Sequence, residues 1–320
     1  MPILDMPLDQ LKNYQGTNPK PSDFDEFWDA SIASLDGIDA RVELKPYDMR
    51  CAIADCFEMT FTSTKGARIY AKLLKPRHIE GKAPALLHFH GYSGSSGEWT
   101  EYVQYVAQGY VVAAMDARGQ GGYSEDVGGV PGNTFSSHFM RGVEGEPKDF
   151  YCTDLFLDTA MLAHIVMGLD YVDSARVATV GGSQGGALAL ACAALVPTVK
   201  VCAVWNPFYS DYKRVYDMNR ASGAFGGLTY HFRMYDPLHE HEDELFYKLG
   251  YIDIQHLAPR VRANVYMQTG LMDTTVPPST QFAVFNKLTC EKIHELYPDY
   301  GHEGLRNGKD RIYAYLADNL

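Results

Sequence analysis

The 320-residue sequence has no uninterrupted run of about 18 apolar residues, so nothing in it reads as a membrane-spanning helix. Its start, MPILDMPLDQLKNYQ, lacks the basic stretch and following apolar stretch of a secretory leader, which points to a cytoplasmic protein. Positive charge is short: 28 lysines and arginines against 40 acidic residues give a formal charge of −12. Nucleic acid and anionic membranes would be repelled, which leaves neutral or cationic small molecules as partners. The six cysteines, Cys51, Cys56, Cys152, Cys192, Cys202 and Cys290, have no CxxC spacing, and several lie in apolar segments such as VKVCAVW. They read as reduced core residues rather than a disulfide framework or a zinc site. No glycine loop with a trailing lysine suggests phosphate binding, and no internal repeat or low-complexity tract is visible.

What is present is an alternation of strand-like and helix-like periods. Residues 52–64 and 67–75 read as two β segments joined at Lys65-Gly66. From Pro84 the pattern changes. PALLHFHG and YVVAAMDARG are near-continuous apolar runs, as in parallel strands covered on both faces, and GEWTEYVQYVAQGY between them has helical spacing. Further on, TDLFLDTAMLAHIVMGLDYV and SQGGALALACAAL read as helices, and ARVATVGG, VKVCAVWN, ANVYMQTG and EKIHELYP as strands before a last helix. This rhythm predicts one α/β domain over residues 1–320: a doubly wound, mostly parallel sheet with helices on both faces and an N-terminal antiparallel extension. A glycine-rich loop over 120–150 and an aromatic-rich insertion at about 207–253 interrupt it. The insertion carries Tyr209, Tyr212, Tyr216, Phe225, Tyr230, Phe232 and Tyr235. Packing in a cap or a subunit interface accounts for most of these rings, and stacking on sugar faces in a cleft is the other reading.

Between a strand and a helix, Gly181-Gly182-Ser183-Gln184-Gly185 fits G-x-S-x-G, the turn that presents a serine hydroxyl at the edge of an α/β-hydrolase sheet. Glycine suits that turn because strand and helix approach closely there. Downstream, Asp273 in LMDTTVPPST and His302 in PDYGHEGL each follow a strand, so the order Ser, Asp, His matches nucleophile, orienting acid and base. The nearest competitors are Asp299, too close to His302 in sequence, and His294, inside a strand. The oxyanion hole is expected from the backbone N–H groups of Gln184, with its side-chain amide uninvolved, and of Tyr92 in HFHGYSGSSGEW. His88 and His90 share a strand face, but without a third ligand beside them no metal is assigned.

The ordered set MPLDQLKNYQG, DFDEFWD, HFHGYSG, Arg118-Gly119-Gln120, GGSQGG, LMDTTVPPST and GHE resembles the acetyl xylan esterase and cephalosporin-C deacetylase family, carbohydrate esterase family 7. The resemblance runs through nearly the whole chain. It implies an α/β-hydrolase that removes acetyl groups from acetylated xylo-oligosaccharides and from cephalosporin C without a cofactor. Its triad would be Ser183, Asp273 and His302, with Tyr92 and Gln184 at the oxyanion hole. It also implies a cytoplasmic homohexamer in which the insertion and the glycine-rich loop are interface elements. Arg118 and Gln120 read as loop ties rather than catalytic groups, since a guanidinium close to a strand end can hold several acceptors. The chain departs from the family at WNPFYSDY and at GHEGLRNG, which leaves acyl-chain and leaving-group preference open.

Three rivals are weaker. A peptidase of this fold would add an N-terminal propeller, for which about 80 residues are too few. A lipase would want an apolar lid, whereas the insertion includes Asp211, Asp217, Asp236 and Glu240. A non-catalytic binding protein on the same fold would have no need of the complete Ser183, Asp273 and His302 set.

Overall fold

The computed structural model describes residues 4–127 and 136–320. Among these, the strands β1 (Glu43–Tyr47), β2 (Ala54–Thr62), β3 (Arg68–Pro76), β4 (Ala83–Phe89), β5 (Val111–Met115), β6 (Val172–Gly182), β7 (Val201–Trp205), β8 (Asn264–Gly270) and β9 (Lys292–Tyr297) form one sheet. Their spatial order is β1-β2-β3-β5-β4-β6-β7-β8-β9. The first three strands and the β3–β5 pair are antiparallel, and every pairing from β5 through β9 is parallel. The anticipated hairpin is β2–β3, with its turn at Lys65 (φ 55°) and Gly66 (φ 79°). β1 has no counterpart in the sequence reading. Its residues, Glu-Leu-Lys-Pro-Tyr, are all exposed at the sheet edge, so no buried face imposes a period, and Pro46 speaks against a strand.

Successive residues of the central strands face different cores. In β4, Ala85, Leu87 and Phe89 join one apolar cluster and Leu86 the other; in β5, Val111, Ala113 and Met115 separate from Val112 and Ala114 in the same way. The helices Tyr151–Met167 and Gln184–Leu195 cover the first face, together with Phe24 and Trp28 of the helix Phe24–Ala33. Trp99, Tyr102, Tyr105 and the C-terminal helix residues Ile312 and Leu316 cover the second. This is the doubly wound arrangement that the apolar runs predicted. The helix Gln184–Leu195 is buried along its whole length, which explains its alanines: small side chains let it lie against both the sheet and the helix Tyr151–Met167. Leu188 and Leu190 within it are buried, each contributing about 1.5–3 kcal/mol relative to exposure.

The insertion is helical, over Tyr212–Asp217, Gly226–Met234 and Glu242–Leu249. Tyr209, Tyr212, Phe225 and Phe232 are buried, with Phe139 stacked on Tyr212 at 4.8 Å between ring centres, so packing does account for these four. Tyr230 and Tyr235 remain 44% and 51% exposed. The N-terminal segment holds the base of the insertion. The Asp211 carboxylate accepts from Tyr14 Oη at 2.7 Å and from the backbone of Thr17 at 2.9 Å and Asn18 at 2.8 Å. Residues 128–135 of the glycine-rich stretch lie outside the described residues. All six cysteines are free, four of them buried, and no helix among the described residues is long and apolar enough to cross a membrane.

Candidate active site

β6 ends at Gly182 and a helix begins at Gln184, so Ser183 is the single residue of the turn, with φ 56° and ψ −123°. That strained conformation is over-determined by what surrounds it. A Cβ on Gly181 would stand 2.2 Å from the Gly185 carbonyl oxygen, and one on Gly185 would stand 2.0 Å from that of Phe89. The Ser183 N–H donates to the Trp205 carbonyl at 2.9 Å, and the Ser183 carbonyl accepts from Phe208 N–H at 3.0 Å, which ties the turn to the end of β7. The Trp205 ring fills the space beside Gly182, where a Cβ would meet it at 2.0 Å.

Asp273 lies just past β8 and His302 just past β9, and main-chain bonds from Leu271 to Tyr297 and from Met272 to Tyr300 join the two loops. The parallel sheet thus delivers three sequence-distant side chains to one edge. His302 Nδ1 is 2.7 Å from Asp273 Oδ2, and His302 Nε2 is 2.9 Å from Ser183 Oγ. Asp273 is fully buried. Its Oδ1 accepts from Thr275 N–H at 2.9 Å and Val276 N–H at 2.8 Å, and Gln281 Nε2 donates to its Oδ2 at 3.3 Å. With every contact a donor, the carboxylate can only accept, so the imidazole presents Nδ1–H to it and leaves Nε2 free to take a proton from the serine. Glu303 holds the same loop, its carboxylate accepting from Gly301 N–H at 3.1 Å.

The competing residues lie elsewhere. Asp299 is exposed in the turn after β9. His294 sits between the rings of Phe282 and Phe285, bonded to Thr269 Oγ1 at 2.9 Å, and burial pushes its pKa down to about 3. His88 faces Tyr102 Oη at 3.3 Å, and burial pulls its pKa to about 4. Both ring nitrogens of His90 are bonded, Nδ1 to the Gly91 carbonyl at 2.7 Å and Nε2 to Ala117 N–H at 2.9 Å.

The backbone N–H groups of Tyr92 and Gln184 have no acceptor among the described residues. The Tyr92 side chain anchors its loop, accepting from Ser137 N–H at 2.7 Å. The Gln184 side chain is engaged as well, away from the backbone N–H. Gln120 and Gln184 pair amide to amide at 2.9 and 3.0 Å; Gln184 Oε1 also accepts from Tyr209 Oη at 2.7 Å, and Gln120 Oε1 from Ser93 N–H at 2.8 Å. Gln120 therefore links the Tyr92 loop to the start of the helix behind Ser183. Nothing in spacing alone reveals this, because the pairing joins a loop to a helix start 64 residues away.

Arg118 acts away from the serine. It is 1% exposed and grips Asp158 with Nε at 2.7 Å and Nη2 at 2.6 Å, while Nη2 also reaches Thr64 Oγ1 at 2.8 Å. Arg118→Met leaves the Asp158 carboxylate buried without its partner and is expected to cost about 3–5 kcal/mol. The loss should show in the urea unfolding midpoint rather than in kcat of the folded fraction.

The acetyl xylan esterase (AXE1) family model matches residues 1–319. The crystal structure of acetyl xylan esterase 1 from Thermoanaerobacterium sp. JW/SL YS485 superimposes with a TM-score of 0.97 at 48% identity, covering 98% of this chain and 99% of that one. The acetyl xylan esterase from Paenibacillus sp. R4 gives 0.94 at 33% identity, covering 98% and 100%. The acetyl esterase Axe7A of Xylanibacter ruminicola is 27% identical over 289 residues; the match takes in 88% of this chain, which spans 63% of the length of that relative. Matched from end to end in sequence and fold, the chain belongs to the acetyl xylan esterase family.

Proposed function

We propose that this protein is a serine carboxylesterase that removes O-acetyl groups from acetylated xylo-oligosaccharides and small acetyl esters, cephalosporin C among them, through an acetyl-enzyme. The observation that carries the reading is the Ser183–His302–Asp273 line, with contacts of 2.9 and 2.7 Å, at the sheet edge beside two N–H groups that have no acceptor among the described residues. Family membership supports the acetyl group as the one transferred.

In the first step His302 Nε2 takes the Ser183 proton as Oγ attacks the acetyl carbonyl, and the N–H groups of Tyr92 and Gln184 receive the oxyanion. The imidazolium then protonates the departing sugar oxygen. Water, deprotonated by the same imidazole, attacks the acetyl-enzyme, and collapse of the second tetrahedral intermediate returns the proton to Ser183 and releases acetate.

A substrate series tests this. p-Nitrophenyl acetate and acetylated xylobiose should be cleaved well, with kcat/KM falling as the acyl chain lengthens; a preference for long acyl chains contradicts the deacetylase reading. We further propose a cytoplasmic homohexamer. Its support is the set of free cysteines, at home in a reducing compartment, and the exposed Met234 (61%) and Leu238 (78%) beside Tyr230 and Tyr235 on the insertion. Sedimentation should give the mass of six chains, and a monomer mass at micromolar concentration contradicts it.

A further inference from the structure

We propose that His90 is a positioning residue of the oxyanion hole: its ring holds and polarises the peptide whose N–H belongs to Tyr92. The proposal rests on the serine-esterase reading above. An amide N–H can only donate, so the 2.9 Å contact from Ala117 N–H makes His90 Nε2 an acceptor. The hydrogen of the neutral ring is then on Nδ1, and it donates to the Gly91 carbonyl at 2.7 Å. Gly94 N–H donates to the same oxygen at 3.0 Å.

In a trans peptide the carbonyl and the N–H point in opposite directions. Two donors clamped on the Gly91 oxygen therefore fix the direction in which the Tyr92 N–H points, away from the ring. They also draw electron density from that N–H, so it donates more strongly to a developing negative charge. His90 is 6% exposed, and burial lowers its pKa, which keeps the ring in the neutral form that this relay needs. The close fit is visible at Gly94, where a Cβ would stand 3.0 Å from the Gly91 oxygen and 3.2 Å from His90 Nδ1. The same chain segment touches the serine turn, since a Cβ on Gly185 would lie 3.0 Å from the His90 carbonyl oxygen. Through Ala117 the ring also hangs from the end of β5, so the donor is referenced to the rigid sheet rather than to the loop.

The two nitrogens can be tested separately. His90→Asn keeps a donor at the position of Nδ1; His90→Gln keeps an acceptor for Ala117 N–H near the position of Nε2 and withdraws the donor from Gly91. The readouts are kcat and KM for p-nitrophenyl acetate, the thermal midpoint, and the inhibition constant of a methyl trifluoromethyl ketone. That ketone adds Ser183 Oγ at its carbonyl while the proton passes to His302, which leaves a hemiketal oxyanion in the hole. H90Q should lower kcat by about tenfold to a hundredfold with KM little changed, less than the about 10²–10³ lost when a donor is deleted outright. Inhibitor affinity should weaken by the same factor, and H90N should recover most of both.

Equal losses in the two variants that follow their thermal midpoints, or an H90Q enzyme with wild-type kcat and inhibitor affinity, would overturn the proposal. Ser183→Ala in the same assay separates the two levels. Activity retained by that variant removes the serine reading and this one with it; an inactive S183A beside a wild-type-like H90Q removes only the role of His90.

Discussion

Ser183→Ala is expected to lower kcat for p-nitrophenyl acetate by about 10⁶-fold while leaving the thermal midpoint near that of the parent, the scale of loss typical when a nucleophilic serine is removed. The size follows from what the site retains. Without Oγ there is no atom to receive the acetyl group, and His302 and the two N–H groups can only assist direct attack by water. The fold should tolerate the change because the turn is fixed by its neighbours. Its backbone bonds to Trp205 and Phe208 do not involve the hydroxyl, and the strained φ of 56° is imposed equally on alanine. Initial rates at saturating substrate, with the variant prepared free of wild-type enzyme, give the comparison. Comparable rates for the two proteins would contradict the assignment.

Asp273→Asn is expected to lower kcat by about 10⁴-fold with little change in KM. The reason lies in which partners the carboxylate serves. One oxygen accepts from two backbone N–H groups, of Thr275 and Val276, and those donors will claim the asparagine carbonyl. The amide NH₂ is then turned toward His302 Nδ1, formerly 2.7 Å from an acceptor. A donor facing Nδ1 forces the other tautomer, with hydrogen on Nε2, and that nitrogen can no longer take the Ser183 proton. The same NH₂ also opposes the Gln281 amide, so a modest loss of stability accompanies the loss of rate. An Asp273→Asn enzyme within tenfold of wild type in kcat, by steady-state assay, would show that His302 is oriented by something else.

The central parallel strands were legible because burial on both faces leaves near-continuous apolar runs, and the helix Gln184–Leu195 because its alanine-rich stretch follows a glycine turn. β1 was not, since an exposed edge strand with a proline in it carries no such pattern. For the site, the G-x-S-x-G turn and the strand-end positions of Asp273 and His302 were enough to name three residues, and the structure places them in hydrogen-bonded line. The supports of the site were hidden. His90 bonds to the backbone of Gly91 and Ala117, and backbone atoms leave no residue-type signal. Gln120, in a loop, and Gln184, at a helix start, find each other across 64 residues, which periodicity cannot anticipate. Arg118 is a tie, as its place near a strand end suggests, although the acid it grips, Asp158, lies in the middle of a buried helix where no motif marks it.

The proposed mechanism passes through a covalent acetyl on Ser183. Acid-quenching the enzyme within the first turnover of p-nitrophenyl acetate and mapping its peptides by tandem mass spectrometry tests this directly. An acetyl-enzyme mechanism requires one acetyl group per chain, on the peptide containing Ser183, formed in step with a burst of p-nitrophenol and absent after the substrate is exhausted. A chain that turns over substrate while carrying no acetyl group at Ser183, or carrying it on another residue with the same kinetics, would contradict it.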